Sequence, residues 1–296
     1  MRVLVLGAYG MLGSRICPQL EAAGHQVLRQ GRGDGVEHQI NPVSLNEVRG
    51  LVYATRPEIV VNLNALTDVD ACEVAPAGAY TANCKTVEVV AQATKDSDVY
   101  LIHISTDQVY SGLGPHEEDF PLPCNVYGLT KYCGELHLSN RNACVLRTNF
   151  VGRSCSPSRR GFTDWIYSTL AVGDPITLFD DVQFSAMHMG VIGDVLLQLL
   201  GRQPTGVFNL GSRDGVSKAA FALAFAKLLE LDTARATIGK LADKALKAAR
   251  PLDMSMSVAR LESALDLTLP SMEETIRAAA NEYQKYGTTR ASDGCF

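Results

Sequence analysis

The chain has 296 residues, of which 46% are hydrophobic and 20% are charged, and its 27 basic and 32 acidic side chains give a net charge of −5. This composition is that of a globular protein, and the acidic balance argues against a nucleic-acid or membrane-surface partner. No apolar run approaches the roughly 20 residues of a membrane span, and the first residues read as a strand rather than a signal peptide.

Eight cysteines are spread along the chain without a CxxC pair, and most lie in apolar segments such as "SRICPQL" and "NACVLRT". Such cysteines behave as small buried hydrophobic residues in a reducing compartment. We therefore expect a cytoplasmic protein without a disulfide or zinc framework. We also expect no bound metal, because no group of His, Asp and Glu residues has metal-ligand spacing.

Strand-like and helix-like segments alternate over the first half of the chain. The predicted strands are short and rich in Val, Ile or Leu, as in strands buried on both faces. They are 2–6, 26–30, 59–63, 99–105 and 143–148, and the predicted helices between them are 11–23, 43–55, 79–95 and 127–139. The alternation predicts a doubly wound parallel α/β sheet of the Rossmann type, with its ligand crevice at the carboxyl ends of the strands.

Beyond residue 150 the alternation weakens. A loop, "SCSPSRRG", leads into predicted helices at 162–171, 191–200 and 219–229 and short strands at 176–179 and 207–210. We predict a dinucleotide-binding domain over 1–150 and a smaller, mainly substrate-binding lobe over 151–296. Segments at about 180–205 and 235–257 are expected to return to the first domain, and the terminal "TTRASDGCF" is expected to fray.

Three glycines, Gly7, Gly10 and Gly13, follow the first strand in "LGAYGMLGSR" and open the first helix. A strand, a glycine turn and a helix place a phosphate group against free helix N–H donors. We assign these glycines, with Met11 and Leu12 between them, to a dinucleotide site. The alternative is a tight turn that binds nothing.

The second predicted strand ends in "VLRQGRGDG", where an acid that binds the adenosine ribose would stand. The chain has Arg29 and Arg32 instead, and a guanidinium can pair with a 2′-phosphate. NADP(H) is therefore favoured over NAD(H), which stays possible. Asn64 and Ala65, after the third buried strand, would let the backbone approach the adenosine or ribose. For the two arginines the alternative is that both are solvated loop charges. For Asn64 and Ala65 it is an ordinary strand-to-helix loop.

Two segments carry candidate catalytic residues. "HISTDQVY" ends a buried strand with Thr106, and "YGLTKYCGE" begins a helix with Tyr127 and Lys131 four residues apart on one face. A lysine ammonium beside a tyrosine favours the phenolate and lowers the phenol pKa from its ordinary value of roughly 10. Thr106 could then bind the same substrate oxygen. His103 lies within the apolar strand and is interpreted as a core residue.

The segments "GAYGMLG", "NLNALTDVDACE", "STDQVYSG", "HEEDFPLPCNVYGLTKYCGE" and "LRTNFVG" together resemble an extended short-chain dehydrogenase/reductase, and more narrowly the dTDP-4-dehydrorhamnose reductase family. The resemblance implies NADPH-dependent reduction of the 4-keto group of a nucleotide-linked deoxy sugar. It makes Tyr127 the proton donor to the sugar carbonyl, and Thr106 a ligand of the carbonyl oxygen. Lys131 would hold the nicotinamide ribose and tune Tyr127, and Asp107 would lie near the sugar.

The chain departs from the family pattern on the substrate side. Phe150 stands where the family has a tryptophan that packs on the sugar, and "DVQFSAMH" lacks the family's Gly and Pro. "RPLDMSMS" replaces the usual late motif, so Arg250 is either a diphosphate ligand or a helix-end surface arginine. The particular sugar nucleotide therefore stays open.

Three other functions were considered. An epimerase would use the same scaffold and stays open. A dehydratase would normally need an acidic pair after the catalytic hydroxyl, and Asp107 followed by Gln108 counts against it. A non-catalytic subunit is the third, since proteins similar to this family are accessory subunits of methionine adenosyltransferase. As partners we expect a sugar-nucleotide substrate, no nucleic acid and no membrane, with the chain a monomer or homodimer.

Overall fold

The computed structural model describes residues 1–32, 35–156 and 159–287. The strands are β1 (Arg2–Leu6), β2 (Gln26–Gly31), β3 (His38–Gln39), β4 (Ile59–Asn62), β5 (Tyr100–Thr106), β6 (Ala143–Thr148), β7 (Phe150–Val151), β8 (Ile176–Phe179), β9 (Gln183–Phe184), β10 (Met187–His188), β11 (Gly206–Leu210), β12 (Val216–Ser217), β13 (Ala236–Gly239) and β14 (Asp253–Met254). The helices are α1 (Gly13–Ala22), α2 (Leu45–Thr55), α3 (Val69–Val74), α4 (Pro76–Tyr80), α5 (Thr86–Ala93), α6 (Val126–Leu136), α7 (Phe162–Ala171), α8 (Met189–Arg202), α9 (Lys218–Leu228), α10 (Ala259–Leu265) and α11 (Met272–Tyr286). The tail predicted to fray lies outside the described residues.

A seven-stranded parallel sheet forms the centre of the protein, in the order β11-β6-β5-β4-β1-β2-β3. The strand order reverses direction at β1, which has β2 on one side and β4 on the other. Such a reversal opens a crevice at the carboxyl ends of the strands. The predicted doubly wound Rossmann-type sheet is confirmed.

Both faces of this sheet are covered by helices. Along β1, Val3 and Val5 pack into one apolar cluster with α1, α8 and α10, and Leu4 and Leu6 pack into another with α2 and α5. This alternation follows from the two-residue period of a strand. Because both faces are buried, the strands read as continuous apolar runs in the sequence. None of the helices in the described ranges has the length and apolarity that a membrane crossing requires.

A second apolar core lies in the C-terminal half, between α7, α9 and α11. It contains Phe184 of β9 and Phe221 and Phe225 of α9. Two small sheets border it, with the strand orders β12-β9-β14 and β13-β8. β11 lies at the edge of the main sheet, whereas β13 and β14, within the segment 235–257, pair only in the small sheets. The domain boundaries given above stay a prediction.

The helix predicted over 79–95 is divided into α4, a π-helical turn at Thr81–Lys85, and α5. The turn lies in close contact with α6 at Gly134. A Cβ at this position would lie 2.5 Å from the Asn83 carbonyl oxygen. Inside the turn, Asn83 accepts a hydrogen bond from the Leu66 backbone N–H at 2.8 Å and donates to Thr130 of α6 at 3.2 Å. The irregular turn thus fixes the loop after β4 against α6.

Among the described residues, six cysteines are free thiols: Cys17, Cys72, Cys84, Cys124, Cys133 and Cys144. Four of them are buried in apolar surroundings, as expected from the segments around them. Cys155 is disulfide-bonded, so the expectation of a chain without disulfides is wrong at this position. Its neighbourhood is a Ser- and Arg-rich loop rather than a strand or helix, and the apolar-segment argument did not apply there.

A buried ion pair joins the last strand of the N-terminal half to α6. Arg147 on β6 contacts the Glu135 carboxylate with Nε at 3.1 Å and Nη2 at 2.6 Å, and both side chains are about 2% exposed. The guanidinium also donates to the Tyr110 hydroxyl at 2.8 Å and to the Glu118 carbonyl at 2.7 Å. Ser105 on β5 donates to the same carboxylate. The position of α6 is thereby fixed relative to β5, to β6 and to the loop between β5 and α6.

Replacing Arg147 with methionine should lower the free energy of unfolding by about 3–5 kcal/mol, because the Glu135 carboxylate is left buried without a countercharge. Urea denaturation of both proteins measures the change. Arg277→Met is the matched control: it breaks an exposed pair with Glu273, and the expected loss is below about 1 kcal/mol. Equal losses in the two variants would contradict the role given to Arg147.

Candidate active site

The glycine turn between β1 and α1 is shaped by contacts within the chain. Gly7 has φ +79°, a conformation that favours glycine, and a Cβ on Gly13 would lie 2.5 Å from the Ala8 carbonyl oxygen. Gly13 is therefore required for the close approach of α1 to the turn. α1 begins without a side-chain cap and without an acidic residue in its first turn. Its N-terminal dipole and N–H groups are therefore available to an anion.

A cavity of about 400 Å³ opens at this turn and runs along the carboxyl ends of β1, β4 and β5. Most predicted site residues line it: Gly7, Gly10, Met11, Leu12, Gly13, Arg32, Asn64, Ala65, Tyr127, Lys131 and Phe150. The described lining also holds Arg159 and Arg160, and it contains no carboxylate. The charge around the cavity therefore suits an anionic ligand.

The two arginines near the end of β2 have different surroundings. Arg32 lines the cavity beside Tyr9, whose ring lies against Gly31. Arg29 points to α1, where its two terminal nitrogens lie 2.6 and 2.7 Å from the carboxylate oxygens of Glu21. Arg29 is therefore engaged by Glu21 on the helix side of the strand, and the assignment of Arg29 and Arg32 to a 2′-phosphate stays a prediction.

The loop after β4 forms the side of the cavity next to the glycine turn. The Asn64 backbone N–H donates to Asn62 Oδ1 at 3.2 Å, and a Cβ on Gly7 would lie 3.0 Å from Asn64 Oδ1. Asn64 Nδ2 is buried and has no hydrogen-bond partner among the described residues. A buried unpaired amide is costly, so this donor is suited to an acceptor on a bound molecule.

Tyr127 reaches the cavity from the first turn of α6, which begins where Asn125 caps the Gly128 N–H at 2.8 Å. Burial raises the pKa of the Tyr127 phenol, and the nearby Asp107 adds to this increase. A hydrogen bond with the Thr106 side chain opposes it. Thr106 is therefore placed at the phenol although it does not itself line the cavity. At neutral pH the phenol keeps its proton.

Lys131 lies one turn further along α6 and is buried. Its ammonium nitrogen Nζ donates to the Ile104 carbonyl at 2.7 Å and lies 3.4 Å from His103 Nε2. Burial lowers the pKa of Lys131 to about 8, and the charge of Glu135 acts in the opposite direction. The hydrogen bonds found for Nζ among the described residues do not include the Tyr127 hydroxyl, so the tuning of Tyr127 by Lys131 stays a prediction.

Asp107 follows Thr106 and is also buried. Asn149 Nδ2 donates to one carboxylate oxygen at 2.7 Å, and the Thr106 hydroxyl donates to the other at 3.2 Å. Burial raises the pKa of Asp107 to about 6, against the hydrogen bond from Asn149 and the positive charge of Lys218. The carboxyl is therefore poised to gain or lose a proton near neutral pH.

Arg250 lies outside the cavity described above. Its guanidinium donates to the Asp70 carboxylate at 2.9 Å and to the Ala248 carbonyl at 3.0 Å. Burial lowers the pKa of Lys218, whose Nζ lies 5.7 Å from the centre of the Phe162 ring, and the charge of Arg250 adds to this decrease. Lys218 thus supplies positive charge to Asp107, whereas Arg250 is paired with Asp70, and the role of Arg250 as a diphosphate ligand stays a prediction.

Sequence reasoning missed four residues that the fold brings to this region: Tyr9, Arg159, Arg160 and Lys218. Arg159 and Arg160 stand in the Ser-rich loop, where a basic pair before Gly161 was a usable signal. A Cβ on Gly161 would lie 3.3 Å from the Met11 sulfur, so this loop packs against the glycine turn. Lys218 gave no signal, because a single lysine at a helix start is common.

No cluster of three or more metal-ligating side chains is found in the part of the chain that the structure describes. The charges at the cavity are cationic, and cationic walls bind anions rather than metal ions.

The pKa of Asp107 predicts a pH-dependent stability. Between about pH 4 and pH 6 the native state retains a proton on Asp107 that the unfolded state releases, so stability falls as the pH rises through this range. Asp107→Asn removes this loss. Relative to wild type, the variant should gain about 2–3 kcal/mol of unfolding free energy between pH 4 and pH 7.5.

Denaturation at several pH values measures this gain. Asp119→Asn is the control: Arg260 lowers the pKa of this exposed carboxyl, so its variant should lose stability relative to wild type as the pH rises. A pH-independent difference between Asp107→Asn and wild type would show that the carboxyl titrates at its ordinary value.

Relatives of known name match the chain over most of its length. A probable low-salt glycan biosynthesis reductase, Agl14, from Haloferax volcanii is 30% identical over 97% of this chain and 100% of its own. A dTDP-4-dehydrorhamnose reductase from Streptomyces griseus is 32% identical, over 79% of this chain and 78% of its own.

A solved structure shares the fold. It is that of dTDP-4-dehydrorhamnose reductase from Bacillus anthracis in complex with NADP, with a TM-score of 0.86 at 23% identity, covering 95% of this chain and 99% of that one. The sequence pattern of the RmlD substrate binding domain matches residues 1–285. The resemblance stated from the motifs is thereby confirmed, and the chain belongs to the RmlD substrate binding domain family.

Proposed function

We propose that this protein is an NADPH-dependent reductase of the 4-keto group of a nucleotide-linked deoxy sugar. One observation carries the proposal: the Tyr127 phenol lies in the same cavity as the glycine turn and the three arginines Arg32, Arg159 and Arg160. A proton donor and an anion-binding turn in one cavity suit the reduction of a carbonyl by a phosphate-bearing cofactor. The names of the relatives agree with this activity.

The residues of the cavity fit a dinucleotide. The open N-terminus of α1 suits the diphosphate, and the unpaired Asn64 amide suits the adenosine or ribose. Arg32 is placed to receive a 2′-phosphate, which favours NADP(H), with NAD(H) possible. Lys131 would hold the nicotinamide ribose. When bound, the nicotinamide supplies the hydride, and the protein supplies orientation and the proton.

The proton comes from Tyr127. Because burial keeps the phenol protonated, its hydroxyl can donate to the carbonyl oxygen of the sugar as negative charge develops there. The Thr106 hydroxyl, which donates to Asp107 in the ligand-free protein, would contact the same oxygen when the sugar is bound. Ile104 and Phe150 contribute apolar surface to the wall of this cavity.

The sugar nucleotide would lie on the side of Asp107 and Phe150. Lys218 supplies positive charge at Asp107, and Arg250 would contact the substrate diphosphate if it left Asp70. β7, which contains Phe150, pairs with β10, and the segment with the altered family motif therefore supports the Phe150 position. The free thiols support a cytoplasmic location, against which the disulfide at Cys155 counts, and we propose that the chain acts as a monomer or homodimer.

Tyr127→Phe should lower kcat by about 10²–10⁴-fold and change NADPH affinity little, because only the transferable proton is lost. Lys131→Ala should reduce both, and Thr106→Val should fall between the two in its effect on kcat. Turnover of 4-keto sugar nucleotides with NADPH, followed by absorbance, and cofactor titration give both quantities.

The matched control is Tyr132→Phe, on the same helix but outside the described cavity lining, which should keep wild-type turnover. Wild-type turnover in Tyr127→Phe would contradict the proposed mechanism, in which Tyr127 donates the proton. Absence of turnover with every substrate, together with intact NADPH binding, would favour the accessory-subunit alternative. Cofactor that stays bound and is regenerated in each cycle would favour an epimerase.

Arg32→Ala should weaken NADPH binding by about 1.5–3 kcal/mol, more than tenfold, because a charge-assisted pair with the 2′-phosphate is lost. NADH binding should change little. Fluorescence titration of both cofactors measures this, with Arg29→Ala as the control, since Arg29 is engaged by Glu21. Equal wild-type affinities for the two cofactors, unchanged in Arg32→Ala, would refute the 2′-phosphate assignment.

A further inference from the structure

Two arginines from the C-terminal half reach the cavity at the glycine turn. Arg159 and Arg160 line it beside Met11, and we call them the arginine pair. In the described part of the chain, neither guanidinium has an ion pair or a side-chain hydrogen bond. A guanidinium without a countercharge at a cavity is suited to a phosphate group, to which it can donate two parallel hydrogen bonds.

The contact between Gly161 and Met11 places the arginine pair at the start of α1. A Cβ on Gly161 would lie 3.3 Å from Met11 Sδ and 3.4 Å from Met11 Cε. Met11 lies two residues before Gly13, the first residue of α1. The arginine that directly precedes Gly161 is therefore next to the helix end whose N–H groups and dipole suit a phosphate.

One carboxylate holds the backbone on both sides of the arginine pair. Asp164, in the first turn of α7, accepts from the Gly161 N–H at 2.7 Å and from the Ser154 N–H at 3.2 Å. The Tyr283 hydroxyl of α11 donates to the same carboxylate at 2.6 Å. Because α7 and α11 pack in the second apolar core, the arginine pair is anchored in the C-terminal half while it lines a cavity of the N-terminal half.

Arg32 lies at another part of the same cavity. It directly follows β2, and the ring of Tyr9 lies against its neighbour Gly31. In a doubly wound sheet the end of the second strand faces the adenosine ribose of a dinucleotide, and the start of the first helix faces the diphosphate. Arg32 and the arginine pair are therefore placed for different phosphate groups of one ligand.

We propose that Arg159 and Arg160 bind the diphosphate of the dinucleotide from the C-terminal half, with Asp164 as the positioning residue that holds them at the start of α1. The cofactor would then contact both halves of the chain. A sugar nucleotide also carries a diphosphate, but the contact of Gly161 with Met11 favours the diphosphate of the cofactor. Naming a dinucleotide rests on the proposed function, whereas the binding of a diphosphate at this place does not.

Calorimetric titration with NADPH, NADH and inorganic diphosphate tests the assignment. A glutamine variant that combines Arg159→Gln and Arg160→Gln should bind all three about ten- to hundredfold more weakly, because charge-assisted contacts to the shared diphosphate are lost. A lysine variant that combines Arg159→Lys and Arg160→Lys should keep most of the affinity, since the charge remains. Arg32→Ala, in contrast, should weaken NADPH alone.

The matched control combines Arg49→Gln and Arg202→Gln. Both residues are exposed and lie outside the described cavity lining, so the same loss of charge should leave all three affinities within about twofold. Unchanged affinities in the glutamine variant, or a loss confined to NADPH, would overturn the diphosphate assignment. A loss for a free nucleoside diphosphate without a loss for NADH would assign the arginine pair to the substrate and would also overturn it.

Asp164→Asn separates position from charge. It removes a negative charge near the cavity, which by Coulomb attraction alone would strengthen the binding of an anion. An asparagine has one acceptor oxygen instead of two, so it cannot hold both backbone N–H groups as the carboxylate does. We therefore expect weaker binding of NADPH and NADH in a variant whose thermal unfolding remains cooperative. Equal or tighter binding would refute the positioning role.

The titration with inorganic diphosphate distinguishes this inference from the proposed function. If the wild-type protein binds neither dinucleotide, the proposed function fails. A weaker binding of inorganic diphosphate in the glutamine variant would then still support the arginine pair as a diphosphate site. Equal binding by both proteins, or no binding by the wild type, would refute that site.

Discussion

The buried pair of Arg147 and Glu135 determines where the candidate catalytic residues lie. Glu135 is one turn beyond Lys131 on α6, and Arg147 holds it from the neighbouring strand while binding the loop that follows Asp107. Desolvating two charges costs about as much as their attraction returns, so such a pair contributes geometry more than net stability. What it provides here is a fixed distance between the helix with Tyr127 and the strand with Thr106.

Burial that fixes these positions also sets the charge of the groups at the site. Desolvation penalises every ionised form, so it raises the pKa of Tyr127 and Asp107 and lowers that of Lys131. At neutral pH the Tyr127 phenol therefore keeps its proton, whereas the arginines at the other end of the cavity are exposed and charged. The arginine end suits an anionic ligand, and the groups whose pKa burial shifts lie at the other end.

The sequence predicted the parts of the fold that depend on local pattern. β1 and β6 were predicted to the residue, because apolar runs buried on both faces end where glycine or polar residues begin. The glycine turn was found because its glycines directly follow a strand and open a helix. Tyr127 and Lys131 were found because residues four apart lie on one face of a helix. The orientation of Arg29 was not predictable, since a strand with both faces buried gives no sign of which face a residue takes. Lys218 reaches Asp107 only through tertiary packing.

His103 is a core residue that also contacts a candidate site residue, so a division of polar residues into core and site does not describe it. Its place in an apolar strand correctly indicates burial, and its nitrogens are both paired. Pairing in a core has a direction, however, because every hydrogen bond has one donor and one acceptor. The backbone N–H of Asn64 at the cavity fixes which atom of the Asn62 amide faces His103. A side chain that completes the core thus also connects the cavity loop to Lys131.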